Sequence, residues 1–202
     1  MGFLFAIFIG YLLGCSNLAF YISKAKKLDI RQSGSANLGV ANSTIVLGWK
    51  WGVLVGAHDI AKAILSVMMT RLLFPAAEYA PAAAGVACVL GHIYPFYLKF
   101  KGGKGFASYL GMVIALNWKF ALVILALVIL ITVITDYLVL GTLTTITLSP
   151  IYFGIHHQSI LLPAILLIAT AIIFYRHREN IPRILKGTEI GLRSTLKKRS
   201  KI

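Results

Sequence analysis

Three polar clusters in this chain have residue types suited to holding an anion. The first runs from Arg31 to Asn42 and contains Ser33, Gly34, Ser35, Asn37 and Gly39. Glycine lets the backbone turn sharply and approach a ligand, while hydroxyls, amides and N–H groups can surround a phosphate. The same residues also serve as a solvated turn and a helix cap. The second cluster runs from Gly91 to Gly105 and includes His92, Pro95, Lys99, Lys101, Gly102, Gly103 and Lys104. Here glycines bracket Lys104, so an ammonium sits on a tight loop whose backbone amides can converge on phosphate. This is not a P-loop: the G-x-x-x-x-G-K-[ST] spacing and the preceding strand are both missing. Lysines acting only as membrane anchors would need no such glycines around them. The third cluster, Tyr175 to Gly187, carries Arg176, His177, Asn180 and Arg183. The spacing predicts His177 and Asn180 on one helix face, with Arg176 and Arg183 a little under two turns apart. A basic exit from a span is ordinary, but a histidine with an unperturbed pKa of about 6.5 can hydrogen-bond or protonate a phosphate.

Asp59 and Lys62 lie inside an apolar stretch beside His58, where ionisable groups are costly and so become functional candidates. Their i, i+3 spacing equally suits a structural ion pair. His156 and His157 read as surface residues. Cys15 and Cys88 sit in apolar runs with no C-x-x-C and no His or Cys at ligand spacing. Both read as buried thiols, and neither a disulfide nor a metal site is expected. No cofactor and no nucleic-acid partner is implied.

The elements that position these clusters follow from composition. Of 202 residues, 58% are apolar and 13% charged, with 20 Lys and Arg against 6 Asp and Glu for a formal net charge of +14. Apolar stretches run from Gly2 to Ile22, Trp51 to Thr70, Ala80 to Leu98, Gly105 to Trp118, Phe120 to Thr135, Tyr137 to Ile155 and Gln158 to Tyr175. Backbone groups facing lipid must pair within their own segment, and barrel-type alternation is absent, so the predicted fold is all-α with seven transmembrane helices. Pro95 should kink or end the third span. The first stretch reads as a span rather than a secretory leader, because no basic segment precedes it and it runs too long.

Lys and Arg collect in cytoplasmic loops. They crowd the loops at 23–50 and 99–104 and the segment from Arg176, with only Arg71 and Lys119 on the opposite side. That asymmetry places the N-terminus outside, the C-terminus in the cytoplasm, and all three clusters at the cytoplasmic boundary. No internal repeat is evident, so residues 1–189 read as one membrane domain and 190–202 as a basic cytoplasmic tail, drawn to anionic lipid or serving as a topology anchor.

Taken together, Ser33 to Asn37 with Gly39 and Asn42, Gly91 to Pro95, Lys101 to Gly105, and Tyr175 to Asn180 closely resemble the three cytoplasmic motifs of the bacterial acyl-phosphate:glycerol-3-phosphate acyltransferases. Tyr11 to Gly14, Asp59 and Lys62 also fit that family's pattern, and the resemblance covers nearly the whole chain. It implies acyl transfer from acyl phosphate to the 1-hydroxyl of glycerol 3-phosphate in the bacterial plasma membrane, giving lysophosphatidic acid and phosphate for phospholipid synthesis. An enzyme that makes acyl phosphate would be a natural partner, alongside membrane lipids. Carried over by residue, Ser35, Lys104, Thr142 and His177 would line a phosphate site. Asn180 and Lys104 would hold glycerol hydroxyls or the reacting oxygens. Asn37, Gly39, Asn42, His92, Lys101, Gly102, Gly103, Gly105 and Arg176 would complete the binding set. The donor is an activated mixed anhydride, so positioning and electrostatics should dominate, with a substrate phosphate oxygen or His177 taking the proton. The His-x-x-x-x-Asp pair of another glycerolipid acyltransferase family is absent.

The chain departs from the family pattern at several positions. Ile45 replaces an arginine, Ala36 a glycine, Val40-Ala41 an Ala-Thr pair and Thr142 a serine, and Asp136 stands where a basic residue is common. Loss of one charge-assisted contact removes about 1.5–3 kcal/mol. Two rival readings use the same clusters: a membrane binding or transport protein for phosphorylated small molecules, and an inactive regulatory paralogue.

Overall fold

The structure, a computed structural model, describes residues 2–193; Met1 and residues 194–202, which include most of the basic tail, lie outside the described residues. The described residues contain α-helices and short 3-10 turns and no strand. They fall into two compact units, Met1–Asn117 and Trp118–Ile202.

The first unit contains α1 (Gly2–Cys15), α2 (Leu18–Ala25), α3 (Val40–Leu47), α4 (Trp49–Leu73), α5 (Ala80–Ile93) and α6 (Phe106–Leu116). The first apolar stretch, expected as one unbroken helix, is interrupted at Ser16 and Asn17. Asn17 prefers the cap: its side chain accepts from the Phe20 N–H at 3.0 Å and starts α2 afresh. Small residues let α1 and α5 touch backbone to backbone, the packing that membrane helices favour. A Cβ on Gly10, Gly14 or Gly91 would run into the backbone of Ala84, Cys88 or Tyr11 respectively. Two phenols tie the same helices together, the Tyr11 hydroxyl donating to Tyr94 O at 2.8 Å and that of Tyr97 to Cys15 O at 2.9 Å. Cys15 and Cys88 are buried and unbridged, as their apolar surroundings predicted. Pro95 ends α5 rather than kinking it, and a 3-10 turn over Phe96–Leu98 follows.

The second unit contains α7 (Trp118–Thr135), α8 (Leu138–His157), α9 (Leu161–Arg176) and α10 (Asn180–Leu185). Pro150 lies inside α8 and removes the N–H that Ile146 O would accept. The Thr170 hydroxyl of α9 donates to that carbonyl at 2.9 Å, which satisfies it and joins the two helices. Val123, Leu130 and Ile134 of α7 are all more than half exposed, as suits a helix that meets lipid.

Five segments are long and apolar enough to cross a membrane: Gly2–Ala25, Trp49–Leu73, Ala80–Leu98, Trp118–Thr135 and Leu138–His157. The other two expected spans form shorter apolar helices, Phe106–Leu116 and Leu161–Arg176. At 1.5 Å per residue these reach roughly 17 and 24 Å, against about 30 Å of hydrocarbon.

Candidate active site

The first cluster is organised from below by Asn42, which is 1% exposed in the first turn of α3. Its Oδ1 accepts from the Ser35 N–H at 2.8 Å, and its Nδ2 donates to Ile30 O at 2.8 Å and Asn37 O at 2.9 Å. The structure therefore gives Asn42, an expected substrate contact, the task of holding the loop. Ser35 is exposed on that loop, and the Asn37 Oδ1 is buried without a hydrogen-bond partner. Gly39 caps α3. Gly34 and Ala36 both adopt positive φ, +63° and +53°. Glycine adopts such a backbone without strain, so Ala36, where the resemblance implied a glycine, is strained there. Ile45 is exposed on α3. Nearby, the Asp29 carboxylate grips the Arg31 guanidinium through two contacts of 2.9 Å, which holds its pKa below the usual carboxylate value. Arg31 is thereby committed to Asp29.

In the second cluster the glycines have a different purpose from the one their spacing suggested. The Gly102 N–H donates to Ile93 O at 3.0 Å and the Gly103 N–H to His92 O at 3.1 Å. These amides bind the C-terminal carbonyls of α5 and do not converge on an anion. A Cβ on Gly102 would strike His92 O, and one on Gly103 would strike His92 Nε2. The chain needs glycine there because it lies directly on His92. Lys101 is exposed and Lys104 half-buried. Gly105, at φ +96°, caps α6 immediately after Lys104. The first N–H groups of α6 have no intrahelical partner, carry the positive end of the helix dipole and follow Lys104 directly in the chain.

His92 itself is 3% exposed, so it is a buried floor to this loop and not an open ligand. Beneath it Asp59 and Lys62, 1% and 5% exposed, form the ion pair their spacing allowed, at 2.8 Å. The Lys62 Nζ also donates to Ser16 O at 2.7 Å and contacts His92 Nδ1 at 2.9 Å. Three neighbours thus match its three N–H groups. His92 Nδ1 lies 3.2 Å from Asp59 Oδ1, and His58 meets Ser16 Oγ through Nε2 at 3.1 Å.

The third cluster does not form the single helix face its spacing predicted. Arg176 ends α9, His177 lies in the turn that follows, and Asn180 begins α10, with the Asn180 N–H donating to His177 O at 2.9 Å. The cause is Pro182, which has no N–H and whose ring excludes a helical carbonyl at Arg178; proline is tolerated only near a helix start. Arg176 and Arg183 consequently lie on different helices. The turn still brings His177 and Asn180 together, 4% and 3% exposed. His177 Nδ1 lies 2.9 Å from Ile173 O. A carbonyl only accepts, so in the neutral ring the proton is on Nδ1 and the lone pair on Nε2. The Arg176 Nε is buried without a hydrogen-bond partner. Thr142, 2% exposed on α8, donates its hydroxyl to Leu138 O at 3.2 Å and must turn from that carbonyl to donate elsewhere.

Glu189 was missed by motif reading. Its carboxylate accepts from Asn180 Nδ2 at 2.7 Å and from Arg183 Nε at 2.8 Å. Asp136 continues the same arrangement, its carboxylate accepting from the Arg193 N–H at 2.7 Å and its carbonyl from the Leu192 N–H at 2.9 Å. Asp136 also has φ +73°, a conformation aspartate tolerates better than most side chains. The available signal was rarity, since each acid stands out in a chain with only 6.

The family model Glycerol-3-phosphate acyltransferase matches residues 4–187. The glycerol-3-phosphate acyltransferase of Thermoanaerobacter pseudethanolicus is 36% identical over 185 residues, covering 91% of this chain and 92% of the relative. The crystal structure of PlsY (YgiH), an integral membrane glycerol 3-phosphate acyltransferase, in its glycerol 3-phosphate form, superposes with a TM-score of 0.88 at 34% identity, over 95% of this chain and 96% of that one. Its lysophosphatidic acid form gives 0.85 at 33% identity, over 97% and 99%. The chain is a multi-pass membrane protein and belongs to the glycerol-3-phosphate acyltransferase family.

Proposed function

We propose that this protein transfers an acyl group from acyl phosphate to the 1-hydroxyl of glycerol 3-phosphate. The hydroxyl oxygen attacks the acyl carbonyl carbon, and the bond from that carbon to the phosphate oxygen breaks. Lysophosphatidic acid and inorganic phosphate result, the hydroxyl proton ending on the departing phosphate directly or by way of His177 Nε2. The observation that carries this reading is the near full-length likeness to an acyltransferase solved in a glycerol 3-phosphate form.

The chemistry of each unit suits that reaction. In the first, Lys104 and the start of α6 supply positive charge for a phosphate, and exposed Ser35 supplies a hydroxyl donor. Lys101, with its ammonium exposed, adds charge beside them. In the second, the Nε2 lone pair of His177 is a hydrogen-bond acceptor for the attacking hydroxyl, and Asn180 Oδ1 can orient glycerol, its Nδ2 being held by Glu189. The buried Arg176 Nε is a further donor for an anion. Asn37 Oδ1, buried and unpartnered, can accept from a glycerol hydroxyl. Fixed dipoles and charges of this kind lower the barrier without a covalent intermediate.

The bias of Lys and Arg supports seven crossings, with the N-terminus outside and the clusters facing the cytoplasm. The two short helices then cross where neighbouring protein or a thinned bilayer takes up the mismatch. A cysteine in place of Glu78 should react with an impermeant thiol reagent added to intact cells, and one in place of Lys27 should not.

Purified protein given palmitoyl phosphate and labelled glycerol 3-phosphate should form lysophosphatidic acid, and palmitoyl-CoA should not replace the donor. No product above a Lys104→Ala control contradicts the reading and favours a binding protein or an inactive paralogue.

A further inference from the structure

A buried ion pair in a membrane helix needs a reason. Desolvating Asp59 and Lys62 is expensive, and pairs of this kind add little net stability compared with well-packed apolar residues. What such a pair can supply is fixed geometry. Lys62 is the hub: its ammonium engages Ser16 O at 2.7 Å, Asp59 at 2.8 Å and His92 Nδ1 at 2.9 Å, joining the end of α1, α4 and α5 at one point. The Lys62 ammonium and the Asp59 carboxylate both meet the ring at Nδ1, 2.9 and 3.2 Å away, and so fix its plane.

The other side of His92 carries the lysine loop. Its carbonyl accepts from the Gly103 N–H, the next carbonyl accepts from the Gly102 N–H, and both glycines lie so close that any Cβ would strike His92. Lys104 follows one residue later. We infer that His92, pinned by Lys62 and Asp59, is a positioning residue that sets where Lys104 projects its ammonium. The inference rests on the proposed acyltransferase reading for the role of Lys104, but the contacts that define it do not. The backbone of Lys104, one peptide bond beyond this floor, is held in place, so its flexible side chain starts from a set position. Removing the floor turns a preorganised ammonium into a mobile one, and a displacement of about 1 Å at a site of this kind can cost roughly 100-fold in rate.

The test is a cycle of His92→Ala, Gly103→Ala and the double variant. It reads kcat/KM for glycerol 3-phosphate together with amide hydrogen exchange over residues 101–105. His92→Ala should lower kcat/KM about 100-fold and speed exchange in 101–105, with α1 and α6 protected as in the parent. Gly103→Ala should be similarly impaired in the parent background, because its Cβ meets His92 Nε2. In the His92→Ala background it should cost nothing further, because the ring is gone. A merely structural histidine would not give this relief in kcat/KM. Full activity in His92→Ala, or losses that multiply in the double variant, overturns the inference. Should His92→Ala not accumulate, His92→Asn takes its place in the cycle, since it keeps an acceptor for Lys62 and removes the ring beneath Gly103. If the parent makes no lysophosphatidic acid, the proposed function fails separately. Exchange in 101–105 then decides, and a rate unchanged by the His92 substitution overturns the positioning role alone.

Discussion

The two units hold their candidate groups by different means. In the first, the Lys104 loop lies on His92, and His92 is fixed by an ion pair buried among helices α1, α4 and α5. In the second, Asn180 begins α10 just after a turn and is held by Glu189, a carboxylate supplied by the segment that follows α10. That segment is fastened in turn to Asp136 through the N–H groups of Leu192 and Arg193. One arrangement is internal; the other is a strap along a more exposed surface. Both use a scarce acid to fix a segment that carries a cation or an amide. In a chain with a net charge of +14, placement of its 6 acids is therefore more informative than placement of its cations.

Breaking the internal anchor should have the largest effect. Asp59→Ala leaves the Lys62 ammonium buried without its counter-charge and should destabilise the protein by about 3–5 kcal/mol, measured by thermal unfolding in detergent. Pairing Asp59→Leu with Lys62→Met should recover most of that stability while exchange in 101–105 stays fast, which separates geometry from stability. On the strap, Glu189→Ala removes the acceptor from buried Asn180 Nδ2 and should cost about 1–3 kcal/mol and lower kcat. Glu189→Gln keeps an acceptor and should cost less in both measurements. Ile45→Arg adds a cation on α3 and, where it reaches phosphate, should lower KM for glycerol 3-phosphate by an amount worth up to about 1.5–3 kcal/mol. An unchanged KM would show that this unit works without that arginine. Ala36→Gly should have the smallest effect. Relief of left-handed strain at φ +53° is offset by the greater freedom of glycine when unfolded, so the gain is at most about 1 kcal/mol by denaturation.

Much of this was legible in the sequence because it depends on local rules. Long apolar stretches became helices, Pro95 ended α5, the thiols were buried, and Asp59 paired with Lys62 at i, i+3. What was not legible depended on contacts between distant segments. The glycines beside Lys104 suggested amides turned toward a phosphate, whereas Gly102 and Gly103 are shaped by His92, which lies beyond a proline. Asn42 has the same composition signal as an exposed ligand, and only the path of residues 30–37 turns its amide inward. Asp136 read as a departure from the family, but it anchors a segment more than fifty residues away. His177 and Asn180 do not share the helix face their spacing allowed, because Pro182 interrupts the helix and puts a turn before Asn180.

The central claim is the proposed acyl transfer, to which Lys104 in the first unit and His177 in the second each contribute. The measurement that tests it most directly is the initial rate of lysophosphatidic acid formation from palmitoyl phosphate by Lys104→Ala and His177→Ala, each beside the parent protein. Both variants should remain folded and lose at least about 100-fold in rate. Parent-like turnover in either one would contradict the account.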